Sequence, residues 1–345
     1  PIPFFEDRLS LGNDLENISE IFRENYIKNI SNNDFKISKD VNMFFDRVSS
    51  DSPKMAKNIS IYLKHLDNVN LYKFLLEFFR LTITLKGFKK CHIFFKKNHL
   101  PLRLDNSRLN NFQYLNFRFN NFIKINKLKK FYKKKCKAEL PKKYILFSGG
   151  YQPEVLSNLI AGHDEITKNV IDRVSAFLPK DWKILYKEHP NTFKPGDKGF
   201  LWRNEGFYND LLSIDNVQLA DHELNTYELL DSSEAVATIS GSIGIESVIR
   251  GKPAFVFGQS WYRSCKSIYY INNNDDIKNA FHSINQQNQI NNKDIKIYLQ
   301  TVFDLSSKEL YKLNSYHYIN SKNLDQNEIK YLTKIILRFF KHSYE

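Results

Sequence analysis

The stretch Thr238-Ile239-Ser240-Gly241-Ser242-Ile243-Gly244-Ile245-Glu246 decides the fold, because small residues join a strand pattern to a helical one. Apolar residues predict a buried strand over Ala235–Ile239 and a helix over Ile243–Arg250. The small residues between them then lie at the amino terminus of the helix. Free backbone amides and the positive end of the helix dipole bind anions at such a place.

Ser240, Gly241 and Ser242 are therefore candidate phosphate-binding residues. Ser242 can also cap the helix with its hydroxyl. Glu246 lies one turn further along on the same face, where its carboxylate can accept hydrogen bonds from ribose hydroxyls. An ordinary capped helix with a solvated Glu246 explains the same pattern, so this motif alone leaves both interpretations open.

Short apolar runs alternate with helical patterns on both sides of this stretch. The predicted strands are Tyr144–Phe147, Trp182–Tyr186, Val217–Leu219, Ala235–Ile239 and Ala254–Phe257. The predicted helices are Glu165–Leu178, Gly206–Ile214, Thr226–Leu230 and Ile243–Arg250. Such alternation indicates βαβ units, a parallel sheet and right-handed crossovers. Ligands of such sheets bind at the carboxyl ends of the strands.

Lys187-Glu188-His189-Pro190 directly follows one of these strands, so the sheet delivers its side chains to the ligand-binding edge. His189 can donate a hydrogen bond to a phosphate oxygen. It can also protonate a departing phosphate, because histidine normally has a pKa near neutrality. Lys187 can neutralise a phosphate or carboxylate. Taken alone, a His-Pro pair at a strand end is more often simple turn chemistry.

Ser148-Gly149-Gly150-Tyr151-Gln152-Pro153-Glu154 follows the first strand of the sheet. Its two glycines permit a sharp turn or a close approach to a ligand. Glu154 is a candidate base or nucleophile, with an exposed glutamate as the alternative. The neighbouring pair Asp164-Glu165 ranks lower, because acids in the first turn of a helix simply favour its dipole.

Phe257-Gly258-Gln259-Ser260-Trp261-Tyr262 is another strand followed by a glycine turn. The rings of Trp261 and Tyr262 can stack on a base or on a sugar face. Burial in the core is the alternative for both rings, and it suits Trp261 slightly better.

The chain has 345 residues, which is long enough for two lobes with separate cores. Residues 1–140 are predicted to be a helix-rich amino-terminal lobe on the acceptor side, with one strand candidate at Cys91–Phe95. Its predicted helices are Leu15–Tyr26, Val41–Val48, Met55–Leu63 and Leu71–Leu85.

The lysine-rich segment 124–143 closes this lobe as a basic connection, and residues 141–345 form the sheet domain. Asn272–Asp294 is expected to be mainly a loop flanking a weak helix, and Gln326–His342 a terminal helix.

The net charge of +13 raises nucleic acid, anionic membrane and acidic substrates as partners. The excess is mostly lysine in a chain also rich in Asn, Ile, Phe and Tyr, so composition bias explains much of it. We expect no nucleic-acid partner, because no recognised binding motif is present. Segment 124–143 is either a solvated helix face or linker, or it docks onto anionic lipid or an acidic glycan.

Three cysteines without paired spacing predict neither a disulfide framework nor a metal knuckle. The absence of a convincing Asp-x-Asp motif also leads us to expect no metal. No run of about 18 apolar residues is present, as a membrane span requires, and no export signal is recognisable. We therefore expect a cytoplasmic protein, at most peripheral at the inner face of the cytoplasmic membrane.

Four motifs in order carry a family resemblance over residues 144–262. They are Tyr-Gln-Pro-Glu, Leu-Pro-Lys-Asp-Trp-Lys-Ile-Leu-Tyr-Lys-Glu-His-Pro, Ala-Thr-Ile-Ser-Gly-Ser-Ile-Gly-Ile-Glu-Ser and Gly-Lys-Pro-Ala-Phe-Val-Phe-Gly-Gln-Ser-Trp-Tyr. Together they resemble the bacterial capsule polysaccharide biosynthesis family, which includes Kdo transferases. The resemblance implies a two-lobed GT-B glycosyltransferase with a Rossmann-like carboxyl-terminal domain. Its expected donor is a CMP-activated nonulosonic-type acid (Kdo, pseudaminic, legionaminic or sialic acid), and its acceptor is a glycan or glycolipid.

Carried over residue by residue, the resemblance places His189 and the serine-rich turn at the CMP phosphate, with Lys187 in support. Glu246 is assigned to the nucleotide, Gln152 and Glu154 to the sugar side, and Tyr262 to sugar contact. No cofactor is expected beyond the donor. Gly149 and Gly150 depart from the family pattern, which puts the sugar contacts there in doubt. A UDP- or GDP-sugar donor and a non-catalytic polysaccharide assembly or binding subunit remain alternatives.

Overall fold

A computed structural model describes the chain in eight segments: residues 8–9, 20–50, 111–150, 167–194, 202–286, 290–305, 307–308 and 333. The strands are β1 (Arg8–Leu9), β2 (Tyr144–Ser148), β3 (Lys183–Lys187), β4 (Val217–Ala220), β5 (Ala235–Thr238), β6 (Ala254–Val256), β7 (Ile268–Tyr270) and β8 (Ser307–Lys308). The helices are α1 (Glu20–Ser31), α2 (Lys39–Ser49), α3 (Asn111–Lys135), α4 (Thr167–Phe177), α5 (Glu205–Leu212), α6 (Thr226–Asp231), α7 (Ile243–Ile249), α8 (Asn274–Asn285) and α9 (Asn292–Leu305). A short 3-10 helix covers Pro190–Phe193.

Six strands form one parallel sheet in the order β4-β3-β2-β5-β6-β7. Numbered along the chain within this sheet, the order is 3-2-1-4-5-6, that of a doubly wound nucleotide-binding sheet. The strand order reverses between β2 and β5, so the ligand crevice is expected at the carboxyl ends of these two strands. The remaining strands, β1 and β8, pair antiparallel as a separate two-stranded sheet.

Strand β2 is buried on both faces, which explains its uninterrupted apolar run. Ile145 and Phe147 pack in one cluster with α3 and α4, whereas Tyr144 and Leu146 pack in another with α6. Helices therefore cover both faces of the sheet. This arrangement confirms the predicted α/β class and the Rossmann-like domain at the carboxyl-terminal side.

The described helices near the amino terminus pack on the sheet domain. Helices α1 and α2 share a core with α7 and α9. The backbone N–H of Ser38 donates to Gln300 Oε1 at 2.8 Å, and Arg250 Nη1 donates to the carbonyl of Val48 at 2.7 Å. The helix predicted over Val41–Val48 is confirmed. A separate amino-terminal lobe bounded at residue 140 stays a prediction.

The lysine-rich segment belongs to α3 as far as Lys135. Ile125, Leu128 and Tyr132 on its inner face are buried in the main core. Its first twelve residues, 124–135, are therefore a packed helix of the sheet domain, where the sequence pattern predicted an interdomain connection. None of the described helices has the length and apolar character needed to cross a membrane.

The region after the fourth motif is more regular than predicted. Asn273 begins α8 with a capping box, in which its side chain accepts from the N–H of Asp276 while the Asp276 carboxylate accepts from the N–H of Asn273. Helix α9 begins at Asn292, inside the segment expected to be mainly loop, and it buries Tyr298 and Val302. The segments Met55–Leu63, Leu71–Leu85 and Cys91–Phe95, and Gln326–His342 apart from Thr333, lie outside the described residues.

Candidate functional site

The carboxyl ends of neighbouring strands bring the predicted motifs to one edge of the sheet. Ser148 at the end of β2 pairs in register with Lys187 at the end of β3. Thr238 ends β5, which lies on the other side of β2. The Gly149–Gly150 turn, the His189 loop and the Ser240–Ser242 turn therefore follow three adjacent strands at the point where the strand order reverses.

Glu188 is fully buried at this edge of the sheet, where its carboxylate is the centre of a hydrogen-bond network. Its carboxylate accepts from the hydroxyls of Tyr186 at 3.1 Å and Tyr208 at 2.8 Å. It also accepts from Thr192 Oγ1 at 3.1 Å and from the backbone N–H of His189 at 2.9 Å. A buried carboxylate normally costs free energy, so this many donors are needed to keep it ionised.

Arg203 supplies the opposite charge, with its Nε 2.8 Å from Glu188 Oε2 and both side chains almost fully buried. Burial opposes the ionisation of Glu188, but Arg203 and the hydrogen bonds outweigh it and hold its pKa below the ordinary value. Arg203 Nη2 also donates to the carbonyl of Gly150 at 3.2 Å. The ion pair therefore ties the loop after β2 to the loop after β3.

Gly149 is required where these two loops touch. A Cβ atom at this position would lie 2.5 Å from the Tyr186 hydroxyl oxygen and 3.0 Å from Glu188 Oε1. The backbone N–H of Gly149 donates to the carbonyl of Lys187 at 2.8 Å. Close backbone packing over the Glu188 network thus explains this glycine, the first of the two that depart from the family pattern.

Tyr132 of α3 holds the end of β3 on the side that faces β4. Its hydroxyl donates to the carbonyl of Ala220 at 2.8 Å and accepts from the backbone N–H of Glu188 at 3.1 Å. One buried hydroxyl therefore satisfies a donor and an acceptor where β3 and β4 diverge. Helix α3 helps to position the loop that carries His189.

The protein holds Nδ1 of His189, which accepts the backbone N–H of Asn191 at 3.2 Å. That bond places the proton of the neutral ring on Nε2. Burial lowers the pKa of His189 to about 4, although the Glu188 carboxylate opposes the shift. The predicted near-neutral pKa is thus corrected for the unliganded protein: the ring is a neutral hydrogen-bond donor at pH 7.

Lys187 is buried at the end of β3, and its Nζ donates to the carbonyl of His222 at 3.2 Å. Burial lowers the pKa of Lys187 to about 8, while Glu188 and Asp221 act in the opposite direction. The ammonium group is therefore mainly charged at neutral pH. An anion bound nearby would favour the charged form further.

The turn after β5 is held by its own side chains and by its glycine. Thr238 Oγ1 accepts the backbone N–H of Gly241 at 3.1 Å, and a Cβ atom at Gly241 would lie 2.8 Å from this oxygen. Ser242 occupies the position that precedes the helix, but its hydroxyl makes no capping hydrogen bond to the backbone. The predicted cap is therefore wrong.

Glu246 lies on the first turn of α7, as the sequence pattern predicted. Its Oε2 accepts from the hydroxyl of Tyr227 at 3.1 Å. Burial raises the pKa of Glu246, and the nearby hydroxyls of Ser242 and Tyr227 oppose that shift. The hydrogen bond from Tyr227 orients this carboxylate.

Tyr262 supports the turn after β5 from beneath and is only 1% exposed. Its hydroxyl donates to the carbonyl of Gly241, and its ring packs so closely on α7 that a Cβ at Gly244 would lie 2.7 Å from it. A ring face buried in this way offers no stacking surface. The sugar contact predicted for Tyr262 is therefore corrected to a packing role.

Gln152 and Glu154, predicted on the sugar side, lie outside the described residues, and so does the pair Asp164-Glu165. Arg203 and Tyr208 were not identified from the sequence. They follow a segment without a recognisable motif, and only the fold brings them to Glu188. The one available signal was Glu188 itself, since an acid inside a buried strand end needs a partner.

Residues 133–292 match the family model described as "Capsule polysaccharide biosynthesis protein". The match covers less than half of the 345 residues. The predicted resemblance is thus confirmed for the segment that contains β2 to β7 and the three described loops. No curated protein sequence is significantly similar to the chain.

Among solved structures, the chain is similar to the beta Kdo 2,7 transferase of Thermosulfurimonas dismutans KpsC, with 14% identity and a TM-score of 0.30 over 53% of this chain and 61% of that one. The beta Kdo 2,4 transferase of the same protein has 16% identity and a TM-score of 0.33, and the match covers 52% of this chain and 55% of that one. A UDP-GlcNAc 2-epimerase from Methanocaldococcus jannaschii in complex with UDP-GlcNAc and UDP has 14% identity and a TM-score of 0.32, and the match covers 54% of this chain and 52% of that one. The chain covers less than two thirds of each of these proteins.

Proposed function

We propose that the protein is a glycosyltransferase of capsule or other surface-polysaccharide assembly. It transfers a nonulosonic-type acidic sugar, such as Kdo, pseudaminic, legionaminic or sialic acid, from a CMP donor to a glycan or glycolipid acceptor. The observation that supports this proposal is that Lys187, His189 and the Ser240–Ser242 turn lie at or just after the carboxyl ends of β3 and β5, near the point where the strand order reverses. The family match over residues 133–292 supports a role in polysaccharide synthesis.

These groups suit a nucleoside monophosphate. The positive charge of Lys187 attracts a phosphate, and neutral His189 donates a hydrogen bond from Nε2. The amides of Gly244 and Ile245 already donate to the carbonyls of Gly241 and Ser242, so the amides of Ser242 and Ile243 are the ones proposed to donate to a phosphate oxygen. Glu246 then lies where ribose hydroxyls can donate to its carboxylate.

In the proposed reaction, the bond between the anomeric carbon and the CMP phosphate oxygen breaks, and the acceptor hydroxyl oxygen bonds to that carbon. The phosphate is stabilised by Lys187, His189 and the Ser240–Ser242 turn, without a metal ion. Glu154 takes the proton of the acceptor hydroxyl. If the reaction retains configuration, Glu154 acts as the nucleophile instead.

Turnover of a panel of CMP-sugars, followed by CMP release, tests the proposal. His189→Ala should lower turnover on the order of 10²-fold, the scale of a lost charge-stabilising donor. His282→Ala is the matched control, because His282 lies on the exposed surface of α8. Normal turnover in His189→Ala would remove His189 from the mechanism.

Donor choice is tested by thermal protection of the full chain with CMP, UDP and GDP. The proposed function expects CMP to protect most strongly, because a ligand that binds only the folded state stabilises it in proportion to its affinity. Stronger protection by UDP or GDP would show that the donor is a UDP- or GDP-sugar and not a CMP-sugar. Protection without any transfer would favour a non-catalytic binding subunit. Undiminished transfer in excess chelator is expected if no metal takes part.

We also propose that the outer face of α3 contacts anionic membrane from the cytoplasmic side. Opposite the buried face of this helix lie Phe119 and Ile123, which are 40% and 42% exposed, and the exposed side chains of Lys127, Lys130 and Lys134. Apolar anchors beside lysines suit an anionic bilayer surface. Changing the three lysines to Gln should abolish sedimentation with phosphatidylserine vesicles, whereas changing Lys129 and Lys133, which pair with Glu223, should weaken it less.

A further inference from the structure

A cavity of about 340 Å³ lies beside α1, outside the predicted donor site. Its volume falls within the range of pockets that hold small ligands. Residues from α1 form one wall, and the segment after β6 and the end of β7 form the other. The lining includes Phe22, Arg23, Tyr26, Arg263, Ser264 and Tyr270.

Two arginines give this cavity its charge, and the described part of the chain adds no acidic residue to its lining. Arg263 lies with its guanidinium carbon 4.5 Å from the centre of the Tyr270 ring. Stacking of this kind holds the planar guanidinium in one orientation. Arg23 approaches from the exposed surface of α1. A guanidinium in a fixed plane favours a carboxylate, which can accept two parallel hydrogen bonds from it.

The aromatic wall of the cavity is firmly packed. The rings of Phe22 and Tyr26 are stacked at 5.8 Å, and Tyr26 meets Tyr298 edge to face at 5.4 Å. Tyr298 donates its hydroxyl to the carbonyl of Trp261 at 2.8 Å. A wall of packed rings beside Arg263, with the exposed Arg23 at its rim, suits a ligand with an apolar face and a negative group, as a carboxylated sugar ring has.

The cavity lies on the ligand-binding edge of the sheet. Tyr270 ends β7 at its carboxyl end. Arg263 directly follows Tyr262, whose hydroxyl holds the carbonyl of Gly241 in the turn after β5. One short segment of chain therefore supports the predicted phosphate turn on one side and the cavity on the other.

We propose that this cavity binds a carboxylate-bearing saccharide, namely an acidic sugar residue of the acceptor glycan. The assignment to the acceptor rests on the proposed function, whereas binding of a carboxylated saccharide follows from the cavity itself. Arg263 and Arg23 bind the carboxylate, and the rings of Tyr26 and Tyr270 contact the sugar.

The test measures binding of the methyl glycoside of sialic acid to the full chain by titration calorimetry. Arg263→Gln and Arg23→Gln should each weaken binding about tenfold or more, the scale of one lost charge-assisted hydrogen bond. Arg47→Gln is the matched control, since Arg47 lies over the Phe44 ring on α2. The same glycoside with its carboxylate converted to an amide should bind more weakly by a similar factor.

Equal affinity of the acid and the amide, or unchanged binding in both arginine variants, would overturn the proposal. So would displacement by inorganic phosphate at equal concentration, which would indicate a general anion site. Protection by CMP is measured on the same variants and should be unchanged. If the glycoside does not bind but CMP still protects the protein, only the assignment of the cavity is wrong. If the glycoside binds but CMP does not protect the protein, the proposed function is wrong instead.

Discussion

The loop after β3 and the turn after β5 lie at the same edge of the sheet but are held in different ways. Glu188 and Arg203 hold the first through buried charges and hydrogen bonds. Tyr262 holds the second through close contact with glycines and a single hydroxyl bond. A loop that must present charged side chains is thus organised by charge, whereas a turn that offers backbone amides is organised by shape.

The largest effect is expected when one partner of the buried ion pair between Glu188 and Arg203 is removed. Glu188→Gln leaves Arg203 buried without a counter-charge and should lower the free energy of unfolding by about 3–5 kcal/mol. Urea unfolding measures this loss. The control is Glu223→Gln, which removes an exposed partner of Lys133 and should cost far less.

The double variant Glu188→Gln/Arg203→Gln tests whether these residues act as a pair. Its loss of unfolding free energy should be smaller than the sum of the two single losses, because neither charge is then left alone. Additive losses would show that the two charges do not stabilise one another.

Packing is tested at the second turn by Gly244→Ala. The added methyl group would meet the Tyr262 ring at less than 3 Å, so unfolding free energy should fall by about 1–3 kcal/mol. Gly150→Ala is the control, because a Cβ there meets nothing within 4 Å. If Gly244→Ala is as stable as that control, Tyr262 does not support the turn in the way described.

The charge of the first loop predicts an unusual titration of His189. Its pKa of about 4 lies below the ordinary 6.5, so the neutral ring should stabilise the fold fully above pH 6.5 and progressively less as the pH falls toward 4. Histidine NMR measures the pKa directly, with the urea-unfolded chain as reference. CMP should raise it, because an anion favours the charged ring. A pKa near 6.5 in the folded protein would contradict the burial of this ring.

The smallest stability effect is expected at Ser242. Because its hydroxyl caps no backbone amide, Ser242→Ala should change the unfolding free energy by less than about 0.5 kcal/mol. Asn273→Ala, which removes a true capping box on α8, should cost about 1 kcal/mol. Protection by CMP should nevertheless weaken in Ser242→Ala if the hydroxyl contacts the phosphate.

Much of the sheet domain was predictable because its strands are short apolar runs bounded by glycine and proline. Helix α9 was not, since Asn and Gln around it conceal the spacing of Ile295, Tyr298 and Val302. The role of Lys124–Lys135 was also hidden: lysines dominate this segment, and only packing shows that Leu128 and Tyr132 face the core.

The sequence by itself determined the βαβ pattern, the resemblance to the capsule polysaccharide biosynthesis family and the loops in which Lys187, His189 and Ser240–Ser242 lie. These follow from local periodicity and from motifs whose residues are close along the chain. Only the tertiary structure decided the strand order, the neutral state of His189, the burial of Tyr262 and the pairing of Glu188 with Arg203. Burial and long-range contacts set each of these, and neither can be read from residues that are adjacent in sequence.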